Sequence, residues 1–142
     1  MKILEHRALR GPNRYSRHPT IFMLLDIGEY EEQPSDTIDG FSDRLVELVP
    51  SLHGHCCSVG EPGGFIQRLQ RGTWAGHIVE HIALELQCLA GMEVGFGKTY
   101  NTSEHGIYKV VYRYQVESVG LFAGREAVAL VEATAKERPY NI

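Results

Sequence analysis

A chain of 142 residues, 43% hydrophobic and 23% charged, is long enough to bury roughly two-thirds of its unfolded surface in one core, which excludes a disordered tail. A formal net charge of -4 excludes a nucleic-acid binder built on a concentrated basic face. Three cysteines, with Cys56 and Cys57 adjacent, exclude a disulfide framework and fit a reducing compartment.

Along the chain, Ile3-Leu4 predicts a short strand, and Arg10-Gly-Pro-Asn13 a turn. The apolar, partly β-branched run at 21–27 predicts a central strand. Phe41, Leu45, Leu48 and Val49 recur at helical spacing, so 40–49 reads as a helix that Pro50 ends. Residues 53–64 form a glycine-rich loop with several potential ligands, and a short helix through Phe65, Ile66 and Leu69 stops at Gly72. Thr73 is a candidate N-cap of the next helix and Gly91 its left-handed terminator. Residues 92–99 and 106–116 read as strands, the second alternating through Ile107, Val110 and Tyr112. An amphipathic helix over 121–136 closes the pattern.

The fold class is therefore α/β of the α+β type: a small mixed sheet with helices packed on it, one of them central. Residues 1–138 read as one domain, and 139–142, with Pro139, as the start of a linker. No apolar run reaches the length of a membrane span, and no signal-peptide pattern follows the basic start. The chain is expected to be cytoplasmic, with no membrane or nucleic-acid partner. Charge sign alternates along it: Lys2, Arg7, Arg10, Arg14 and Arg17 precede Glu29, Glu31, Glu32, Asp36, Asp39, Asp43 and Glu47, so patches of opposite sign are possible.

The central helix carries the order His77-x-x-Glu80-His81. At about 100° per residue, Ala75, Ile78, Val79, Ile82, Leu86 and Leu89 share a core side, while His77, Glu80, His81 and Glu85 share an opposite arc. His77 and His81 lie one turn apart, close enough to bind one zinc ion, and Glu80 is placed to accept a proton from a zinc-bound water. The order matches an inverzincin metallopeptidase signature. A half-wet helix face carrying two imidazoles is the alternative, although Leu84 and Cys88 interrupt the arc. A third ligand is required, with Cys57, His55, His105, Glu126 and Glu132 as candidates that spacing does not rank. Glu85, roughly 12 Å along the axis from His77, suits orienting a ring or binding substrate.

Two further signals are weaker. Gly95-Phe-Gly-Lys-Thr99 lacks the first glycine of a phosphate-binding loop, because Met92 stands there, and it leaves a helix instead of entering one. Lys98 then reads as a solvated charge or an anion contact. Cys56 and Cys57 with His53 and His55 lack the paired spacing of a structural zinc site.

Several stretches together carry a resemblance. These are Lys2-Ile-Leu4, Leu9-Arg-Gly-Pro-Asn13, Leu48-Val-Pro-Ser-Leu52, His55-Cys-Cys-Ser58, Gly63-Gly-Phe65, the run from Gly72 to Gln87 and the run from Ala90 to Thr99. In the same order and across most of the chain, they resemble the amino-terminal domain of the cyanophycin synthetases. The resemblance implies a multidomain ligase that makes a storage polymer of aspartate backbone and arginine branches. Its ATP-grasp and Mur-ligase-like modules use ATP and Mg, and neither fits in this chain. The full-length protein is expected to be an oligomer. The implied role of this domain is to hold the growing polymer, cyanophycin. Each grafted arginine presents a guanidinium and a carboxylate, so Arg7, Arg10, Arg14, Arg17 and Lys98 are expected carboxylate partners and the acids of 29–43 guanidinium partners. In some members the domain is also understood to cut polymer into primers. His77, Glu80 and His81 occupy the positions of that metal motif.

Overall fold

A computed structural model describes residues 1–55 and 61–141. Four strands, β1 (Lys2–Leu9), β2 (Thr20–Asp26), β3 (Gly97–Asn101) and β4 (Ile107–Arg113), form one sheet in the order β1-β2-β4-β3. Every neighbouring pair is antiparallel. The α/β class stands, but the sheet is antiparallel throughout and not mixed. No helix of the described residues is long and apolar enough to cross a membrane.

The four helices are α1 (Phe41–Leu48), α2 (Gly64–Arg71), α3 (Ala75–Leu89) and α4 (Glu117–Ala135), with 3-10 turns at Gly28–Glu32, Ser35–Thr37 and Pro50–Gly54. Helix α3 covers the β3 and β4 half of one sheet face, α4 covers the β1 and β2 half, and the two helices pack on each other. Between layers lie Ile21, Met23, Leu25, Val110 and Tyr112 from the strands and Ile78, Ile82, Ala127 and Val131 from the helices, all buried. Period-two alternation aims the odd positions of β2 at this core. The even positions Phe22 and Leu24, paired with Val111 and Lys109, occupy the outer face. The close fit of α4 is visible at Gly124, where a Cβ would stand 2.1 Å from the Tyr112 hydroxyl oxygen.

Helix α3 ends in a Schellman motif. Gly91, at φ +95°, donates its N–H to the Cys88 carbonyl at 3.0 Å, and Met92 donates to Gln87 at 3.0 Å. At the other end the expected cap is not the one found: Trp74 is the N-cap and no side chain caps the helix. Thr73 is instead fixed by a reciprocal pair, its N–H donating to Ser35 Oγ at 2.9 Å and its carbonyl accepting from the Ser35 N–H at 2.8 Å.

Boundaries moved where propensity and topology compete. The pairing of β1 with β2 extends the short strand at Ile3-Leu4 to eight residues. Of the strand expected at 92–99 only the stretch from Gly97 is paired, because β4, the partner of β3, runs from Ile107 to Arg113. Helix α4 begins at Glu117, one turn before its first large apolar residue on the expected stripe. Beyond it, the Tyr140 hydroxyl donates to the Glu126 carboxylate, so the segment after Pro139 folds back against α4.

Candidate functional site

The two faces of α3 are both buried. Glu80, His81 and Glu85 are 5%, 8% and 8% exposed, so their arc is no half-wet surface. It faces β3, the turn at 50–54 and α2, and these elements bound an open groove of about 990 Å³. Periodicity reports only that the arc is polar, and a groove wall and a solvated face share that signature.

Within the groove the side chains form a continuous row. Thr73 Oγ1 lies 2.9 Å from His77 Nδ1, and His77 Nε2 lies 3.1 Å from His81 Nε2. On the far side of its ring, His81 Nδ1 is 2.9 Å from His55 Nδ1, whose Nε2 is 2.5 Å from Glu85 Oε2. Phe65, from α2, stacks on the His81 ring with centroids 3.9 Å apart and 12° between planes. Burial holds both helix imidazoles neutral: His77 is lowered to about 4, Arg68 adding to the effect, and His81 to about 2, with His77, His55 and Arg68 adding.

Glu80 stands beside this row, not in it. Its Oε2 accepts from Thr99 Oγ1 at 2.9 Å. Burial pushes the carboxyl up to about 7, with the Thr99 hydrogen bond opposing the rise. The space for Glu80 exists because residue 97 is glycine: a Cβ there would lie 2.7 Å from Oε1 and 2.8 Å from Cγ.

The candidates for a third ligand separate clearly. His55 is beside His81 but on the opposite ring nitrogen from His77, so the three imidazoles do not converge on one point. His105 is paired with Glu31 and Glu32, Glu126 with Tyr140, and Glu132 with the amino terminus. Among the described residues no group of three His, Cys, Asp or Glu side chains could hold a metal ion. Cys57 lies outside the described residues.

Of the sequence-predicted basic residues, Arg7, Arg14 and Lys98 fall on the outer sheet face. Register places Arg7 with Phe22 and Lys98 with Val111, beside Lys109 and Arg113. The Arg7 guanidinium sits 5.2 Å over Phe22, Arg14 5.5 Å over Tyr15, and Lys98 5.4 Å over Tyr100. Arg17 is exposed nearby in sequence, and Lys98 also borders the groove. Arg10 is committed elsewhere, its Nε 2.6 Å and its terminal nitrogen 3.1 Å from the two Glu117 oxygens. Among the acids, Glu31 and Glu104 line a second concavity of about 420 Å³ with His105, Trp74 and Tyr108. Trp74, 42% exposed, also lines the groove, so the two hollows adjoin.

Sequence reasoning did not find Thr99, Phe65 or Trp74. Thr99 stood in the strand pattern and in the incomplete phosphate-loop motif, Phe65 in the short helix before Gly72, and Trp74 carried no signal of its own; long-range placement alone makes them part of the site.

Residues 22–136 match the family described as the cyanophycin synthase-like N-terminal domain. The chain is 52% identical over 142 residues to a cyanophycin synthetase of Trichormus variabilis, covering 99% of this chain and 16% of that protein. It is 51% identical over 144 residues to one from Geminocystis herdmanii and 49% identical over 144 to one from Synechocystis sp., in each case across 100% of this chain and 16% of the relative. The chain thus spans about a sixth of the length of these relatives.

Proposed function

Because the chain belongs to the cyanophycin synthase-like N-terminal domain family, we propose that it is the polymer-holding domain of an ATP-dependent cyanophycin synthetase. In this reading the ATP-grasp and Mur-ligase-like modules, with ATP and Mg, belong to the same full-length protein, an oligomer of the cytoplasm, and residues 1–138 act as one unit ahead of a linker. The supporting observation is the outer sheet face, where Arg7, Arg14 and Lys98 sit over aromatic rings, Lys109 and Arg113 share the face, and Arg7 also pairs with Glu5 at 3.5 Å, while Glu31 and Glu104 line a separate hollow. A polymer whose every branch ends in a guanidinium and a carboxylate needs a surface with both signs held apart. Arg7, Arg14, Arg17 and Lys98 are the carboxylate partners in this reading. Arg10 could join them only by releasing Glu117. Binding of the purified chain to multi-L-arginyl-poly-L-aspartate tests the reading. Joint reversal of Arg7, Arg14 and Lys98 to Glu should weaken it at least tenfold, and an unchanged affinity rejects it.

A second reading, metal-dependent cleavage of the same polymer, is favoured by the His77 and His81 pair. Two nitrogens bound to one tetrahedral zinc stand roughly 3.3 Å apart, close to the 3.1 Å between these Nε2 atoms, and neutral rings are the ligating form. His77 and His81 would hold the zinc, with Cys57 the remaining candidate for a third donor. Bound zinc supplies Lewis acidity and an activated water near neutral pH. Glu80, buried and shifted to about 7, is suited to take a proton at that pH. Glu85 orients a ring through His55 and makes no substrate contact in this reading. Chelator-sensitive shortening of the polymer, lost in Glu80→Gln, is the expected result. Retained binding without cleavage under zinc loading leaves only the first reading.

A further inference from the structure

The smaller hollow lies where two connections meet: the turn Gly28–Glu32 that follows β2 and the loop between β3 and β4. Both are held by hydrogen bonds. The Ile27 N–H donates to the Gly106 carbonyl at 2.9 Å, and Thr102 Oγ1 donates to the Ile107 carbonyl at 2.7 Å. Glu31 organises the walls. Its carbonyl accepts from the Trp74 indole N–H at 2.9 Å, and its Oε2 accepts from the Tyr108 hydroxyl at 2.5 Å. Trp74 is thus fixed through its one polar side-chain atom while 42% of the residue stays exposed. Glu31 Oε1 accepts no hydrogen bond from a described residue, because His105 Nδ1, at 3.7 Å, is beyond reach. Glu104 adds a second carboxylate, and among the described residues no lysine or arginine lines the hollow.

A fixed, open indole beside a carboxylate with a free oxygen is chemistry that takes a flat cation. A guanidinium can stack on the ring and donate N–H groups sideways in its own plane, whereas an ammonium has no face to stack. Trp74, Asn101 and Tyr108 also line the larger groove, so a side chain seated in the hollow can branch from a chain lying in the groove. We propose that this hollow is a guanidinium subsite, with Trp74 as its stacking wall and Glu31 as its counter-ion, and that it takes an arginine branch of a polymer whose backbone follows the groove. That the ligand is a branch rests on the polymer-holding reading; the preference for a planar cation rests on the hollow itself. The outer sheet face, of opposite sign, is left to the branch carboxylates.

Trp74 is the single tryptophan of the chain, so its fluorescence reports on this hollow. Titration with Nα-acetyl-L-arginine, which carries the acylated amine, carboxylate and guanidinium of a branch, is expected to change the emission saturably. Nα-acetyl-L-citrulline, of the same shape with a neutral urea, is expected to leave it unchanged. Glu31→Gln removes the charge but keeps the acceptors of Tyr108 and Trp74, and should weaken binding of the arginine derivative by about tenfold or more. Glu104→Gln, on an exposed loop, should weaken it about 2–5-fold and carries the test if Glu31→Gln fails to fold. An equal response to the citrulline derivative, or an affinity unchanged in both variants, overturns the proposal. Polymer should reproduce the emission change; a change given by free L-arginine and not by polymer assigns the hollow to the free amino acid and overturns the branch assignment. If the arginine derivative gives no saturable change while polymer still binds and is released by salt, the subsite fails and the polymer-holding reading stands.

Discussion

Glu80 is the residue whose environment is most at odds with its chemistry. Its folded pKa of about 7 lies above the ordinary 4.5, so the unfolded chain gives up this proton at a lower pH than the folded one. The associated stability is fully present below about pH 4.5 and is lost as pH rises through 7, a swing on the order of 3 kcal/mol at 1.36 kcal/mol per unit. Glu80→Gln keeps an acceptor for Thr99 and removes the charge. It should therefore raise the unfolding temperature at pH 8 and leave it nearly unchanged at pH 4.5, which thermal melts at the two pH values would measure. The adjacent glycine imposes the reverse constraint. Gly97→Ala drives a methyl into Glu80 Oε1 and Cγ and against Leu84 Cδ1, 3.0 Å away, and overpacking of this kind costs about 1–3 kcal/mol, readable by urea denaturation. None of this was legible in the residue itself. The His-x-x-Glu-His order places these side chains on one arc of a helix, but burial and the Thr99 contact depend on β3, seventeen or more positions away in a part of the chain that read as a longer, plainer strand.

At the scale of the element, α3 is buried nearly all round, which an isolated amphipathic helix is not. Its apolar side was legible because Ile78, Ile82 and Leu86 repeat at helical spacing, and its end because Gly91 can adopt a left-handed turn. Its start was misread because a threonine before a helix is ordinarily a cap, whereas the pairing of Ser35 with Thr73 leaves Thr73 Oγ1 pointing at His77. Strand β2 was legible for a related reason: a strand buried on both faces is an almost unbroken apolar run, and residues 21–27 are one. Two substitutions separate the contributions that hold α3. Ile82→Ala, at a fully buried site, should cost about 2–5 kcal/mol. Gly91→Ala, at φ +95°, should cost about 1 kcal/mol. A larger loss at Gly91 than at Ile82 in equilibrium unfolding would contradict the view that packing, not the terminal turn, dominates this helix.

For the whole molecule, charge is sorted by the topology and not by a simple division of the chain. The run of early arginines left a basic patch possible; of it Arg7 and Arg14 reach the outer sheet face, where only the β1-β2-β4-β3 order brings Lys98, Lys109 and Arg113 alongside Arg7. Exposed charges are screened over about 8 Å at physiological ionic strength, so polymer binding should weaken steadily between low and moderate salt. Binding insensitive to salt would reject the charged-face reading. The groove offers its own means of following an occupant. Phe65 lies almost parallel to the His81 ring at 3.9 Å, and an aromatic ring shields whatever nuclei lie above its plane. His81 ring protons should therefore resonate upfield of those of the other histidines, and any occupant that parts the two rings will announce itself as a downfield shift, without an attached label.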